Sequence, residues 1–249
     1  MIIVKTAEEL DAMRASGRLA ADVLASVARS VRPGVTTHEL DELAERLIRA
    51  SGAKSAFLGY RGYPGHICVS VNEEVVHGIP GPRVIQLGDI VSIDVGVEYH
   101  GFVGDTATTV MVGVADPDVM RLVATGQQAL IAAIEKARAG QRLSDVSHAI
   151  EQTAVTAGFA VVRDFVGHGV GRRLHEDPQI PNFGPPGHGP KLRPGMTLAI
   201  EPMLNQGGSE VEVLGDGWTV VTRDRKPSVH FEHSIAVRDG AAVVLTCVE

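Results

Sequence analysis

IVSIDVGVEYHGFVGDTATTVMV, residues 90–112, carries the pattern from which the fold is read. Val91, Ile93, Val95 and Val97 alternate with Ser92, Asp94, Gly96 and Glu98, the period of two expected of a strand buried on one face. Tyr99, His100 and Gly101 supply turn chemistry, so the stretch predicts a hairpin with strands near 89–98 and 101–112. Across a two-residue loop, residues whose numbers have an odd sum share a face, and 94 and 105 meet that condition. Asp94 and Asp105 then become direct or diagonal neighbours; a three-residue loop without a bulge would break the placement. Two such carboxylates repel at low dielectric unless they share a proton or hold a cation. The flanking apolar runs argue against a harmless exposed pair and favour the cation.

Working outward, the plan recurs. PGVTTHELDELAERLIRASGA, from Pro33, is echoed by AGQRLSDVSHAIEQTAVTAGFA, from Ala139. Gly34 and Gly52 are 18 positions apart, as are Gly140 and Gly158. LGDIVSIDVG (87–96) aligns with PGMTLAIEPM (194–203), which sets Asp94 over Glu201. The offset is 106 at the helices and 107 at the strands. An acid ends the apolar run in both copies, where a core strand should avoid charge. A repeat of roughly 17–112 and 121–237 within a single catalytic domain, 1–249, is therefore expected, with both acids brought to one centre by a pseudo-twofold.

Elsewhere, residues 6–31 read as a helix with a Thr6–Glu9 capping box, and Thr36–Glu39 is a second such box. Helices are expected near 117–138 and 143–157, and strands near 66–71, 198–204, 210–213, 218–222, 229–237 and 242–246. The Gly/Tyr/Pro-rich 59–65 reads as a loop, and 177–195, with six prolines and four glycines, as a long surface connection. Helices and strands intermix without clean βαβ units, so the class is α+β.

Three further segments carry chemistry. In FVGHGVGRRLHEDP (165–178), His168 is bracketed by glycines that allow close backbone approach, and His175 follows seven residues later. LAIEPM (198–203) holds Glu201, and VHFEHSIAV (229–237) holds Glu232 inside an apolar strand with His230 and Ser234 on the same face. No Lys or Arg stands beside either glutamate to explain it as an ion pair. Asp94, Asp105, His168, Glu201 and Glu232 form an oxygen-rich set with one nitrogen, suited to two divalent ions about 3.5–4 Å apart, bridged by carboxylates and a water. Such a centre turns the bridging water into a nucleophile near neutral pH, and a carboxylate can pass its proton to a leaving amine. Hydrolysis of an amide or ester is implied.

Bulk properties bound the rest. The 249 residues are 44% apolar and 21% charged, ordinary for one globular domain. A net charge of −7 argues against a DNA or RNA partner, which needs a clustered basic surface. No apolar run approaches the roughly 20 residues of a membrane span, and the N-terminus has no secretory pattern. With two cysteines, Cys68 and Cys247, outside any CxxC or zinc spacing, a reducing cytoplasm is the expected setting.

IDVG…GDT, GHGVGRRLHEDP, AIEPM and FEHSIAV, together with CVSVNEEVVHGIP (68–80), closely resemble the type I methionine aminopeptidases over essentially the whole chain. The resemblance implies the pita-bread fold, duplicated α/β halves around a curved antiparallel sheet. It implies that Asp94 chelates one metal, that Asp105 and Glu232 bridge both, and that His168 and Glu201 complete the other, Glu201 also shuttling the proton. His77 would contact substrate near the scissile bond, and His175 would polarise the carbonyl. Tyr60, Tyr63, Cys68 and Trp218 would bury the methionine thioether.

Leu174 stands where many relatives carry an aromatic residue, and Phe57 where some carry cysteine; both bear on pocket shape. The zinc-binding N-terminal extension of some relatives is not expected, and the short span between Glu201 and Glu232 argues against type II. The substrates implied are nascent chains beginning with Met followed by a small residue. A monomer with transient ribosome contact is expected, although the acidic balance lends that contact no support. The metal, Mn, Fe, Co or Zn, is not distinguished by the donor set. A prolidase-like X-Pro peptidase shares the five ligands but usually adds an N-terminal domain. A metal-free binding module would have lost ligands, and all five are present.

Overall fold

The hairpin read from residues 90–112 is the middle of a nine-stranded sheet in the computed structural model, which describes residues 1–248. In chain order its strands are β1 (Lys54–Ser55), β2 (Cys68–Val71), β3 (Ile90–Tyr99), β4 (Phe102–Met111) and β5 (Val166–Gly169). β6 (Glu176–Pro181), β7 (Thr197–Ile200), β8 (Glu232–Ala236) and β9 (Val243–Val244) complete it. The spatial order is β1-β3-β4-β8-β7-β5-β6, with β2 also on β3 and β9 also on β8. Every pairing given for these strands is antiparallel. The β3–β4 loop is the two residues His100 and Gly101, with φ of 52° and 76°. That left-handed pair is the turn whose twist matches the flanking strands.

Four helices pack on one face. α1 (Ala7–Ser30) and α2 (Thr37–Ala50) begin at the expected capping boxes: the Glu9 and Glu39 amides donate to Thr6 and Thr36 Oγ1, and their carboxylates accept the cap amides. α3 (Pro117–Lys136) starts on Asp116, whose carboxylate accepts the Asp118 amide, with Pro at the first helical position. α4 is Leu143–Thr156. Val91, Ile93, Val95 and Val97 of β3 are buried against Val23, Val27, Leu40 and Ile48 of α1 and α2. In the same way Leu198 and Ile200 of β7 and Ile235 of β8 meet Leu122, Leu130, Val146 and Ile150 of α3 and α4. Each helix pair thus covers one half of the sheet with the odd face of β3 and the even face of β7. The period of two turns Asp94 and Glu201 to the opposite side.

Two long strands expected from the sequence are each broken. The run near 198–204 splits into β7 and Met203–Asn205 around Glu201–Pro202, and the run near 229–237 splits into Ser228–His230 and β8 at Phe231. Pro202 has no amide to donate to a ladder, and its carbonyl accepts the Phe231 amide across the gap (3.3 Å). Beyond the breaks, Met203–Asn205 pairs with Ser228–His230 and with Ala160–Val161 in a separate three-stranded sheet.

A second small sheet joins Val211–Val213, Val220–Thr222 and Glu74–Val76. The proline-rich 177–195 is also not a plain connection, because β6 occupies its start. As the last strand of the sheet order, β6 tolerates Pro178 and Pro181, since an edge leaves half its amides outside the ladder. The loop at 59–65 contains a single 3-10 turn, Tyr60–Gly62.

Candidate metal centre

Register assembles the acids. Asp94 on β3 and Glu232 on β8 both stand opposite Ala107 of the intervening β4, while Asp105, two residues back along β4, stands opposite Gly96. Asp94 and Asp105 are therefore diagonal neighbours on one face. His168 on β5 pairs with Ala199 of β7, and Glu201 leaves β7 just beyond. The glycines around His168 act differently from the expectation that they let backbone approach a ligand. A Cβ at Gly167 would lie 2.6 Å from the Ala199 carbonyl oxygen, and one at Gly169 would collide with that of Asp177. They make room for neighbouring strands, not for a ligand.

One ligand atom each from Asp105, His168 and Glu232 fall within 4.8 Å of one another. His168 Nδ1 lies 2.9 Å from the Gly169 carbonyl oxygen. Donating there, it leaves the Nε2 lone pair toward the carboxylates, 3.7 Å from Asp105 Oδ2 and 3.5 Å from Glu201 Oε1. The other Glu201 oxygen lies 3.5 Å from Nε2 of buried His230. Asp94 Oδ1, Asp105 Oδ1, Glu232 Oε1 and His230 Nε2 are buried without a hydrogen-bond partner.

Burial is the main cause that raises the acids: Asp94 to about 7 and Glu201 to about 8. Asp105 and Glu232 are pushed well above the carboxylate range by burial and then by neighbouring carboxylates. Burial likewise lowers His168 to about 3 and His77 to about 4, which keeps both imidazoles neutral. Neutral imidazole among orphaned carboxylate oxygens, with no Lys or Arg paired to them among the described residues, is the environment a divalent cation completes.

Beside this cluster opens a cavity of about 250 Å³. All eleven residues expected from the sequence line it: the four acids and one imidazole above, His77, His175, Tyr60, Tyr63, Cys68 and Trp218. Phe57, Arg61, Phe165 and Leu174 complete the wall. Tyr63 donates to the carbonyls of Ile67 (3.1 Å) and Gly78 (3.0 Å) and meets Trp218 edge-on at 5.0 Å. Cys68 lies opposite Asp94 in the β2–β3 register. His77, at φ 61°, is flanked edge-on by Phe165 (5.6 Å) and Trp218 (6.1 Å). The His175 ring lies 4.3 Å from that of His168, tilted by 55°, and its Nδ1 is 2.7 Å from the Tyr60 hydroxyl.

Three contributors escape the sequence reading: Arg61, Phe165 and His230. For His230 a signal exists, since it alternates with Glu232 on one face. The left-handed φ of Arg61 (49°) and the approach of Phe165 to His77 have no counterpart in the sequence pattern.

Comparison with known proteins agrees with this geometry. Residues 11–239 match the profile described as metallopeptidase family M24. Methionine aminopeptidase 1 of Bacillus subtilis (strain 168) is 50% identical over 246 residues, covering 99% of each chain. The crystal structure of methionine aminopeptidase from Thermotoga maritima superposes with a TM-score of 0.98 at 48% identity and complete coverage of both chains. Prolidase from Pyrococcus furiosus shares the fold, with a TM-score of 0.81, at 22% identity; 99% of this chain matches 66% of that one.

Proposed function

The chain belongs to metallopeptidase family M24, and we propose that its removal of methionine from peptide N-termini runs on two divalent ions held by Asp94, Asp105, His168, Glu201 and Glu232. The observation that carries this is the ring of orphaned, buried carboxylate oxygens around neutral His168. Asp105, His168 and Glu232 supply one close triad, and Asp94 and Glu201 extend it on either side; four carboxylates balance two divalent cations. Mn, Fe, Co and Zn all suit the donors. When bound, the ions supply Lewis-acid polarisation of the scissile carbonyl and acidify a water.

The remaining work falls to side chains. Glu201, at about 8 in the metal-free site and flanked by two imidazoles, takes a proton from the attacking water and returns it to the departing amine. With the Tyr60 hydroxyl donating to His175 Nδ1, the tautomer protonated on Nε2 holds the carbonyl oxygen as charge develops on it. His77, neutral and clamped between Phe165 and Trp218, contacts the substrate near the same bond. Tyr60, Tyr63, Cys68 and Trp218, with Phe57 and Leu174, enclose the thioether.

We read residues 1–249 as one catalytic domain built from the repeat of 17–112 and 121–237. The support is two helix pairs that cover two halves of one sheet, α2 and α4 each being 14 residues long. We also assign the protein to the cytoplasm, where its two free cysteines fit a reducing setting, as a monomer meeting nascent chains with transient ribosome contact. The prolidase likeness extends to the fold alone. Turnover of Met-Ala-Ser against Ala-Pro, with Mn or Co titrated into chelated protein, tests the assignment. Metal-dependent release of methionine alone is the expected result, and cleavage of Ala-Pro alone would overturn it.

A further inference from the structure

His175 lies in the turn between β5 and β6, the same hairpin whose first strand carries His168. That turn, 170–175, is closed by the Gly169–Glu176 strand pair, and the Glu176 side chain folds back into it. Glu176 Oε1 accepts the Arg173 amide at 3.3 Å. Its other oxygen meets Lys5 Nζ at 2.5 Å, and the two side chains are only 3% and 2% exposed. Gly171 makes this room: a Cβ there would lie 2.6 Å from Glu176 Oε1 and 2.7 Å from Lys5 Nζ. Lys5 itself is fixed, because its amide donates to the Gly195 carbonyl (2.8 Å) and Val4 bridges Met196.

A buried ion pair is weak evidence for stability, since desolvation offsets its attraction, and removing one partner strands the other charge. Its geometric effect is definite. The pair ties an N-terminal strap, distant in sequence, to the residue that follows His175.

We propose that the buried Lys5–Glu176 pair is a positioning device that sets the His175 imidazole against the substrate carbonyl. The inference rests on the role given to His175 above. Neither Lys5 nor Glu176 lines the cavity; both act through the turn. Tyr60 fixes the ring from its free side and Lys5 fixes the backbone that carries it, so His175 is held at two ends. A displacement of about 1 Å at such a group is enough to cost on the order of a hundredfold in rate.

The test is a double-mutant cycle on the metal-loaded, full-length enzyme with Met-Ala-Ser. Lys5→Met lowers kcat by roughly ten- to a hundredfold and leaves KM within about twofold. In a His175→Ala background the same substitution has no further effect, because the group through which it acts is gone. Glu176→Gln, which keeps the side-chain shape, follows the same pattern and replaces Lys5→Met in the cycle if that variant does not fold. Equal losses in both backgrounds, or an unchanged kcat, would overturn the proposal.

A second readout does not need turnover. The imidazole NMR signals of His175 in metal-free protein shift in either variant, while those of His66, held by Asp41 and outside the cavity lining, stay. Unshifted His175 signals defeat the positioning role whatever the turnover. A wild type that binds metal but releases no methionine defeats the reading of the site itself.

Discussion

Asp94 and Glu232 face each other across a single intervening residue, Ala107, each being its direct partner on an adjacent strand. Three strands thus place two carboxylates at a separation set by backbone pairing, with a methyl-sized side chain between them. The ligand set inherits the rigidity of the ladder, which is why substitutions should act on charge and reach more than on geometry.

Asp105→Asn keeps the shape of the side chain and removes one charge from the shared face. Turnover of Met-Ala-Ser should fall by more than about a hundredfold, since even supporting partners of metal ligands are worth 10- to 100-fold. Near-normal turnover with metal in excess would rule out a bridging carboxylate. Chemical unfolding of the chelated variant should show no loss of stability, because a buried, orphaned acid has been replaced.

Metal-free protein should lose stability as pH rises from about 7.5 to 8.5. In this window His77, His168, His175, His230 and His233, whose protons burial disfavours in the fold, are also largely neutral in the unfolded chain, where an imidazole titrates near 6.5, so the carboxylates dominate. Asp94 (about 7), Glu201 (about 8), Asp105 and Glu232 hold protons in the fold that the unfolded chain has released. A group raised in this way contributes fully below the ordinary carboxylate range and loses its contribution as pH climbs through its folded value. The slope is roughly 1.4 kcal/mol per pH unit for each carboxyl still protonated. Urea unfolding with and without Mn measures it; the metal, which displaces those protons, should flatten or reverse the trend.

Tyr60→Phe removes only the hydroxyl that meets His175 Nδ1. A fall in kcat of about tenfold with KM nearly unchanged is expected, smaller than the loss from His175→Ala. A rise in KM at constant kcat would instead place Tyr60 in thioether binding alone.

Tyr63→Phe should destabilise by about 1–3 kcal/mol, because the hydroxyl serves two carbonyls, those of Ile67 and Gly78, in a buried setting. Urea titration measures this directly. Methionine release should survive, since the ring stays against Trp218.

The hairpin and the four helices are legible because each is long enough to show its period and its caps. Parity alone sets Asp94 and Asp105 on one face, and His100–Gly101 closes the turn that parity requires. The breaks at Glu201–Pro202 and Phe231 are hidden, since an apolar run reads the same whether or not it changes sheet, and Pro202 is the sole hint. β6 is hidden by its prolines, which an edge position excuses and a sequence does not reveal. Short strands such as Val166–Gly169 span too few residues for any period. His77, the role of His175 and the aromatic pocket come from family resemblance alone. His230, visible on the face of Glu232, has no role in any local pattern and gains one only when the strands bring Glu201 beside it.

The facing breaks at Glu201–Pro202 and Phe231 give the segment between them the character of an interchangeable cartridge. Its two ends are clasped together by the Phe231–Pro202 hydrogen bond and the Met203–His230 pairing, so what lies between begins and finishes at one point. Lengthening such an excursion adds little closure entropy, about 0.6 kcal/mol per doubling. Trp218 rides on that excursion, while Glu232 sits in the main sheet and Glu201 directly follows β7. The rim that greets the incoming peptide can therefore be redesigned, by insertion or loop exchange, without moving an acid of the centre.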